Sequence, residues 1–97
     1  MKDKSNTNIE NQETLLQFPC EFPIKVMGKN HATFASDMCE LIQTFVDQEL
    51  DTSNISSRPS RSGKYSALTI TITAKSKNQL DKIYQALYAH EDVHMTL

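Results

Sequence analysis

Three cations and three hydroxyls crowd one short stretch of this chain: Ser57, Arg58, Ser60, Arg61, Ser62 and Lys64. Guanidinium and ammonium groups among serine hydroxyls can hold a carboxylate or phosphate through charge-assisted hydrogen bonds. The same cations on an edge strand and hairpin tip also block edge-to-edge aggregation, so the cluster has two uses open to it. A second polar group, Lys29, Asn30 and His31, follows Gly28. Neither group is a catalytic constellation.

The remaining reactive side chains are scattered. Cys20 and Cys39 form no C-x-x-C pair and no disulfide framework. No histidine is placed locally to activate Cys39 as a nucleophile. His90 and His94 have the spacing that binds metal when both lie on one helix. Here a helix ends at His90 and a strand carries His94, so His90 suits the helix C-terminus and His94 the surface. Tyr84 and Tyr88 recur at helical spacing as core or boundary rings. No triad, phosphate loop or metal-ligand set is present, so the sequence predicts no catalytic residue, no metal site and no cofactor, and a protein that is not an enzyme.

The 97 residues leave room for one domain. The net charge of −2 argues against nucleic acid as a partner, because phosphate binding usually needs a strong positive excess. No apolar run approaches the roughly 20 residues that span a bilayer, so no membrane partner is expected. The polar N-terminus is not followed by an apolar signal region. Two unpaired cysteines suit a reducing cytoplasm.

The elements that must position these groups are legible from periodicity. Residues 1–17 are polar and read as a flexible tail, and the composition shift at Phe18-Pro19 opens a single domain over 18–97. Phe22, Ile24 and Val26 alternate with Pro23, Lys25 and Met27, which is the strand period. Gly28 is expected to allow a sharp turn, and Asn30 to cap a helix over 31–50. In that helix Phe34, Met38, Leu41, Ile42, Phe45 and Val46 share one stripe. Residues 51–60 are polar apart from Ile55, and Pro59 lacks an amide donor, so they suit an edge strand. A hairpin tip follows, with Gly63 free to take positive φ. Leu68, Ile70, Ile72 and Ala74 then alternate with Thr69, Thr71 and Thr73 over Tyr65–Ala74. Ser76 and Gln79 form a capping box for a second helix with Leu80, Ile83, Tyr84, Leu87 and Tyr88 on its stripe. Val93, Met95 and Leu97 close the chain as a last strand.

Strand–helix–strand thus occurs twice, and two helices can cover only one face of a four-stranded sheet. Right-handed crossovers favour a ferredoxin-like α+β sandwich, βαββαβ, with antiparallel strands in the order 4-1-3-2. Phe22, Ile24, Val26, Leu68, Ile70, Ile72, Val93, Met95 and Leu97 are predicted to face the helices. Lys25, Met27, Thr69, Thr71, Thr73, His94 and Thr96 are predicted on the open face. That face excludes several uses of the fold. An RNA-recognition module needs aromatic rings on the central strands, where Lys25, Met27, Thr69 and Thr71 stand. A soft-metal carrier needs two thiolates in the loop after the first strand, which holds Gly28, Lys29, Asn30 and His31. An acylphosphatase-like enzyme needs an arginine there, and Lys29 is that loop's only lysine or arginine.

From Phe18 to Leu97 the chain resembles the YbeD-like family of small bacterial proteins, sometimes labelled lipoic acid-binding regulatory proteins. The resemblance rests on Phe18-Pro19, on Phe22 to Gly28, on Ser62 to Ser66 leading into Thr69 to Ile72, and on the spacing of Val93, Met95 and Leu97. It implies a fold similar to ACT regulatory domains, which bind small metabolites near the loop after strand one and at dimer interfaces. By that similarity Gly28, Lys29 and Asn30 line the ligand loop; the hairpin cations Arg58, Arg61 and Lys64, read from their own clustering, are the further candidate ligand-binding residues. The expected role is a cytoplasmic regulatory domain that senses a carboxylate-bearing metabolite, with a link to lipoate metabolism. The alternative is a protein-interaction module that docks a partner or a second copy, as a homodimer, through its open face or edge strand.

Overall fold

A computed structural model describes residues 17–96. Its elements are β1 (Cys20–Lys29), α1 (Phe34–Gln43), β2 (Ile55–Pro59), β3 (Tyr65–Ala74), α2 (Lys77–Ala89) and β4 (Val93–Thr96), with a 3-10 turn at Thr52–Asn54 before β2. All but the last residue of the expected N-terminal tail, and Leu97 at the other end, lie outside the described residues.

Alternation decides the sheet. Ile24 and Val26 on β1 pair with Ile70 and Leu68 on β3, and all four are buried. Lys25 and Met27 pair with Thr69 and Ala67 on the opposite face. The strands run β2-β3-β1-β4, all antiparallel, which is the expected 4-1-3-2 order taken from the other edge. Phe34, Met38 and Ile42 of α1 and Leu80, Ile83 and Leu87 of α2 complete one core with Ile24, Val26, Leu68, Ile70, Ile72 and Ala74. The fold is the ferredoxin-like sandwich, with both helices on one face.

Four local features differ from the sequence pattern. First, α1 stops at Gln43 rather than running to residue 50. Its last turn tightens, with the Phe45 amide donating to Ile42 (2.9 Å) and the Thr44 hydroxyl donating to the Leu41 carbonyl (2.7 Å). The Gln43 side chain then donates to the Gln48 carbonyl (2.7 Å) and accepts from the Leu50 amide (2.9 Å). Val46 and Leu50 still reach the core, but from a loop.

Second, Gly28 makes no turn. It lies inside β1, and its missing side chain leaves room for the Phe34 ring and the Asp92 backbone. Gly63 is the positive-φ glycine among the described residues, at φ 78°.

Third, Asn30 does not cap α1; Thr33 stands at the N-cap. Asn30 instead donates from Nδ2 to the Gly63 carbonyl (2.9 Å) and from its amide to the Lys64 carbonyl (3.1 Å).

Fourth, β4 carries a bulge. Val93 pairs with Gly28, but Met95 pairs with Met27 and Thr96 with Val26. One extra residue on β4 shifts the parity. Met95, expected in the core, therefore lies on the open face and is 47% exposed. Thr96, expected on the open face, shares the side of Val26.

The Ser76–Gln79 box forms in one direction only. Ser76 Oγ accepts from the Gln79 amide (3.1 Å). The Gln79 side chain accepts instead from the Lys75 amide (2.6 Å) and donates to the Phe45 carbonyl (2.8 Å). Gln48 accepts from the Thr73 amide, and Asn54 donates to the Thr71 carbonyl (3.4 Å). These side chains continue the hydrogen bonding of β3 where the short strand β2 no longer covers it.

Candidate functional site

The open face can be built rung by rung from the strand register. One rung reads Met95, Met27, Ala67 and Arg58 across β4, β1, β3 and β2. The next reads Lys25, Thr69 and Ser56 across β1, β3 and β2. At about 4.8 Å per strand, the first rung spans about 14 Å from Met95 to Arg58. Its β4 end is apolar and its β2 end is cationic.

Two depressions share this ground. One, of about 90 Å³, is lined by Lys25, Met27, Ala67, Leu68, Thr69 and Met95. The other, of about 280 Å³, is lined by Lys25, Ser56, Arg58, Ala67 and Thr69. Lys25, Ala67 and Thr69 belong to both. Among the described residues neither Lys25 nor Arg58 has an ion-pair partner. The arrangement fits an anion held between two long cationic side chains, with an apolar body lying over Ala67, Met27 and Met95. Tyr65 and His94 stand beside it, edge to face, with ring centroids 4.9 Å apart.

The loop after β1 is organised differently. His31 Nε2 lies 2.9 Å from Asp92 Oδ2, and Lys29 Nζ lies 3.6 Å from Asp92 Oδ1. The His31 hydrogen bond, with the Lys29 and His90 charges, holds the Asp92 carboxyl below the usual carboxylate range. The loop before β4 is thereby tied to the loop before α1. His31, Asp37 and Asp92 bring one ligand atom each within 4.8 Å of one another.

A third concavity, a groove of about 350 Å³, lies between α1 and the start of β2 and is lined by Ala32, Ala35, Ser36, Cys39, Asp51 and Ile55. Burial pushes the Cys39 thiol up, and the nearby Asp51 and Glu40 carboxylates add to this. It is therefore a neutral group and a poor nucleophile at physiological pH.

The structure divides the sequence-predicted residues. Gly28 is buried inside β1, against the Phe34 ring. Asn30 meets the backbone of Gly63 and Lys64 at the hairpin tip, and Arg61 is exposed on that tip. Lys29 faces Asp92. Of the six, Arg58 is the one that lines the open-face depression with Lys25. Alternation signalled Lys25 and Met27 as open-face residues, but nothing in it signalled Met95, because the bulge reverses parity. Asp92 carried no signal because its partner His31 is distant in sequence, and Asp37 read only as a polar residue of the helix.

The chain matches, over residues 13–97, the family described as a protein of unknown function, DUF493. It is 47% identical over 85 residues to a UPF0250 protein of Paraburkholderia phytofirmans, covering 88% of this chain and 94% of that one. A UPF0250 protein of Neisseria gonorrhoeae is 37% identical over 91 residues, covering 94% of this chain and 99% of that one. The solution structure of protein HP0495 from H. pylori superposes with a TM-score of 0.69 at 17% identity, covering 84% of this chain and 85% of that one. That likeness concerns the fold, and no described helix is long and apolar enough to cross a membrane. With its ferredoxin-like sandwich and close relatives along nearly its whole length, the chain belongs to the DUF493 family, the uncharacterised UPF0250 proteins, in keeping with the YbeD-like resemblance of its sequence.

Proposed function

We propose that this chain is a non-catalytic cytoplasmic regulatory domain that takes a small carboxylate-bearing metabolite on its open sheet face. The observation that carries this is the rung from Met95 to Arg58, apolar at one end and cationic at the other, with Lys25 beside it. The carboxylate sits between Arg58 and Lys25, and an acyl body lies over Ala67, Met27 and Met95. Lipoate and octanoate combine these two parts, and the YbeD-like resemblance is what directs the choice toward lipoate metabolism. The non-catalytic reading rests on the sequence, which carries no Ser-His-Asp-type triad and no phosphate loop.

The test is a titration of the full chain with octanoate, lipoate and the uncharged octanamide, followed by thermal shift and amide chemical shifts. Ligand that binds only the folded state raises the melting temperature. Octanoate and lipoate are expected to perturb residues of β1 and β3 around Met27 and Ala67, and octanamide much less. A flat response to both acids overturns the proposal.

A second use of the same face is favoured by one observation. Tyr65, 38% exposed, and Met95 offer large apolar surface to water. A protein partner or a second copy docking there would cover both. Sedimentation over a concentration series separates this from metabolite binding, since self-association shows as a rising mass without added ligand.

A further inference from the structure

We propose that His31, Asp37 and Asp92 form a binding site for one divalent transition-metal ion, independent of the open face. The three come from different parts of the chain: the loop after β1, the first turn of α1, and the loop before β4. They supply one imidazole nitrogen and two carboxylate oxygens, a set that suits zinc or manganese better than a soft ion.

The geometry is close to what an ion needs. Tetrahedral ligands at zinc distances stand about 3.3 Å apart. His31 Nε2 and Asp92 Oδ2 are 2.9 Å apart, and all three ligand atoms fall within 4.8 Å of one another. Three protein ligands leave further coordination positions to water or to an exogenous ligand.

The surroundings orient each ligand. Thr33 Oγ1 lies 3.3 Å from His31 Nδ1 and donates to Asp37 Oδ2 at 3.1 Å, so one hydroxyl positions two ligands. Lys29 holds the other oxygen of Asp92, leaving Oδ2 turned toward His31. Without an ion, the Thr33 amide donates to His31 Nδ1 (3.3 Å), so Nε2 carries the proton and donates to Asp92. An ion takes the Nε2 lone pair. The ring then carries its proton on Nδ1, which gives up the bond from the Thr33 amide and donates instead to Thr33 Oγ1, and the net charge on the ring does not change. The two aspartates supply the negative charge, and Lys29 offsets part of it.

The site ties the loop after β1 to the loop before β4, so an ion there would stiffen the end of the sheet. The experiment uses the full chain freed of metal with a chelator and then titrated with zinc, manganese and magnesium chlorides by calorimetry and thermal shift. Zinc is expected to bind at one ion per chain and raise the melting temperature, with magnesium far weaker. Cobalt substitution is expected to give visible absorption of a low-coordinate nitrogen–oxygen site. His31→Ala and Asp37→Asn are both expected to weaken zinc binding at least tenfold. Asp37→Asn leaves the His31–Asp92 hydrogen bond in place, so its folding is checked separately by thermal unfolding without metal. Absence of saturable zinc binding at millimolar ion overturns the proposal. So does binding that survives both variants, or that is lost instead with His94→Ala.

Discussion

The ring of Phe34 fills the space in which a side chain at Gly28 would begin: a Cβ built on Gly28 lies 2.5 Å from Phe34 Cζ. The Asp92 carbonyl closes on the same point. Backbone on one side and a fully buried ring on the other leave little to yield. Gly28→Ala is therefore expected to destabilise the fold by about 1–3 kcal/mol, the usual range for overpacking a core. Urea unfolding measures this, and an unchanged midpoint would show that the end of β1 opens freely. Gly63→Ala meets no atoms but sits at φ 78°. It is expected to cost less, through backbone strain alone, about 1 kcal/mol.

Gln79 joins α2 to the loop after α1. Its amide accepts from Lys75 and donates to Phe45, and both bonds are short. Gln79→Ala removes both and leaves partly buried backbone groups to find other partners, at about 1–2 kcal/mol. For a domain of this size that is roughly 4–8 °C in melting temperature per kcal/mol. Gln79→Glu keeps the acceptor for Lys75 but turns a carboxylate oxygen toward the Phe45 carbonyl. It should recover little of the loss, and full recovery would mean that the Phe45 contact contributes nothing.

The Cys39 thiol has its pKa raised by burial first, and then by Asp51 and Glu40. A group whose folded pKa is raised stabilises the fold below the unfolded value and loses that contribution as pH climbs through the folded one. Stability linked to Cys39 is thus expected to be complete below about pH 8 and to fall above it. In a Cys20→Ser background, alkylation of the folded chain by iodoacetamide at about pH 8 should be slower than that of the urea-unfolded chain. Equal rates would place Cys39 in water with an ordinary pKa. Replacing Asp51 with Asn should speed the folded reaction modestly.

For the open face, Arg58→Ala and Lys25→Ala are each expected to weaken octanoate binding about tenfold, the equivalent of about 1.4 kcal/mol. Both side chains are exposed, so the effect should shrink as salt is raised. Met95→Ala should weaken binding of octanoate more than that of acetate, because only the longer chain reaches the β4 end of the rung. Calorimetry on the variants decides this. Equal losses for both acids would remove the acyl track and leave a simple anion site.

Much of the architecture was legible because period two and period 3.6 are strong signals. Leu68, Ile70 and Ile72 against Thr69, Thr71 and Thr73 fixed the faces of β3, and the central antiparallel pair follows from it. Helix positions were legible where apolar spacing coincided with regular backbone. They failed after Gln43, where Val46 and Leu50 keep the spacing of a helix but amide side chains take over the backbone hydrogen bonds.

Composition and periodicity by themselves determined that the strands and helices share one core and that the other sheet face carries hydroxyls, a lysine and a methionine. Those properties are local, repeated every two or nearly four residues, and need no knowledge of what lies across the fold. The tertiary structure alone decided that Met95 joins Met27 on the open face, that Arg58 and Lys25 line one depression, and that His31 meets Asp92. Each of those depends on register: a single extra residue in β4 reverses its faces, and a contact between His31 and Asp92 exists only once β1 and β4 lie side by side.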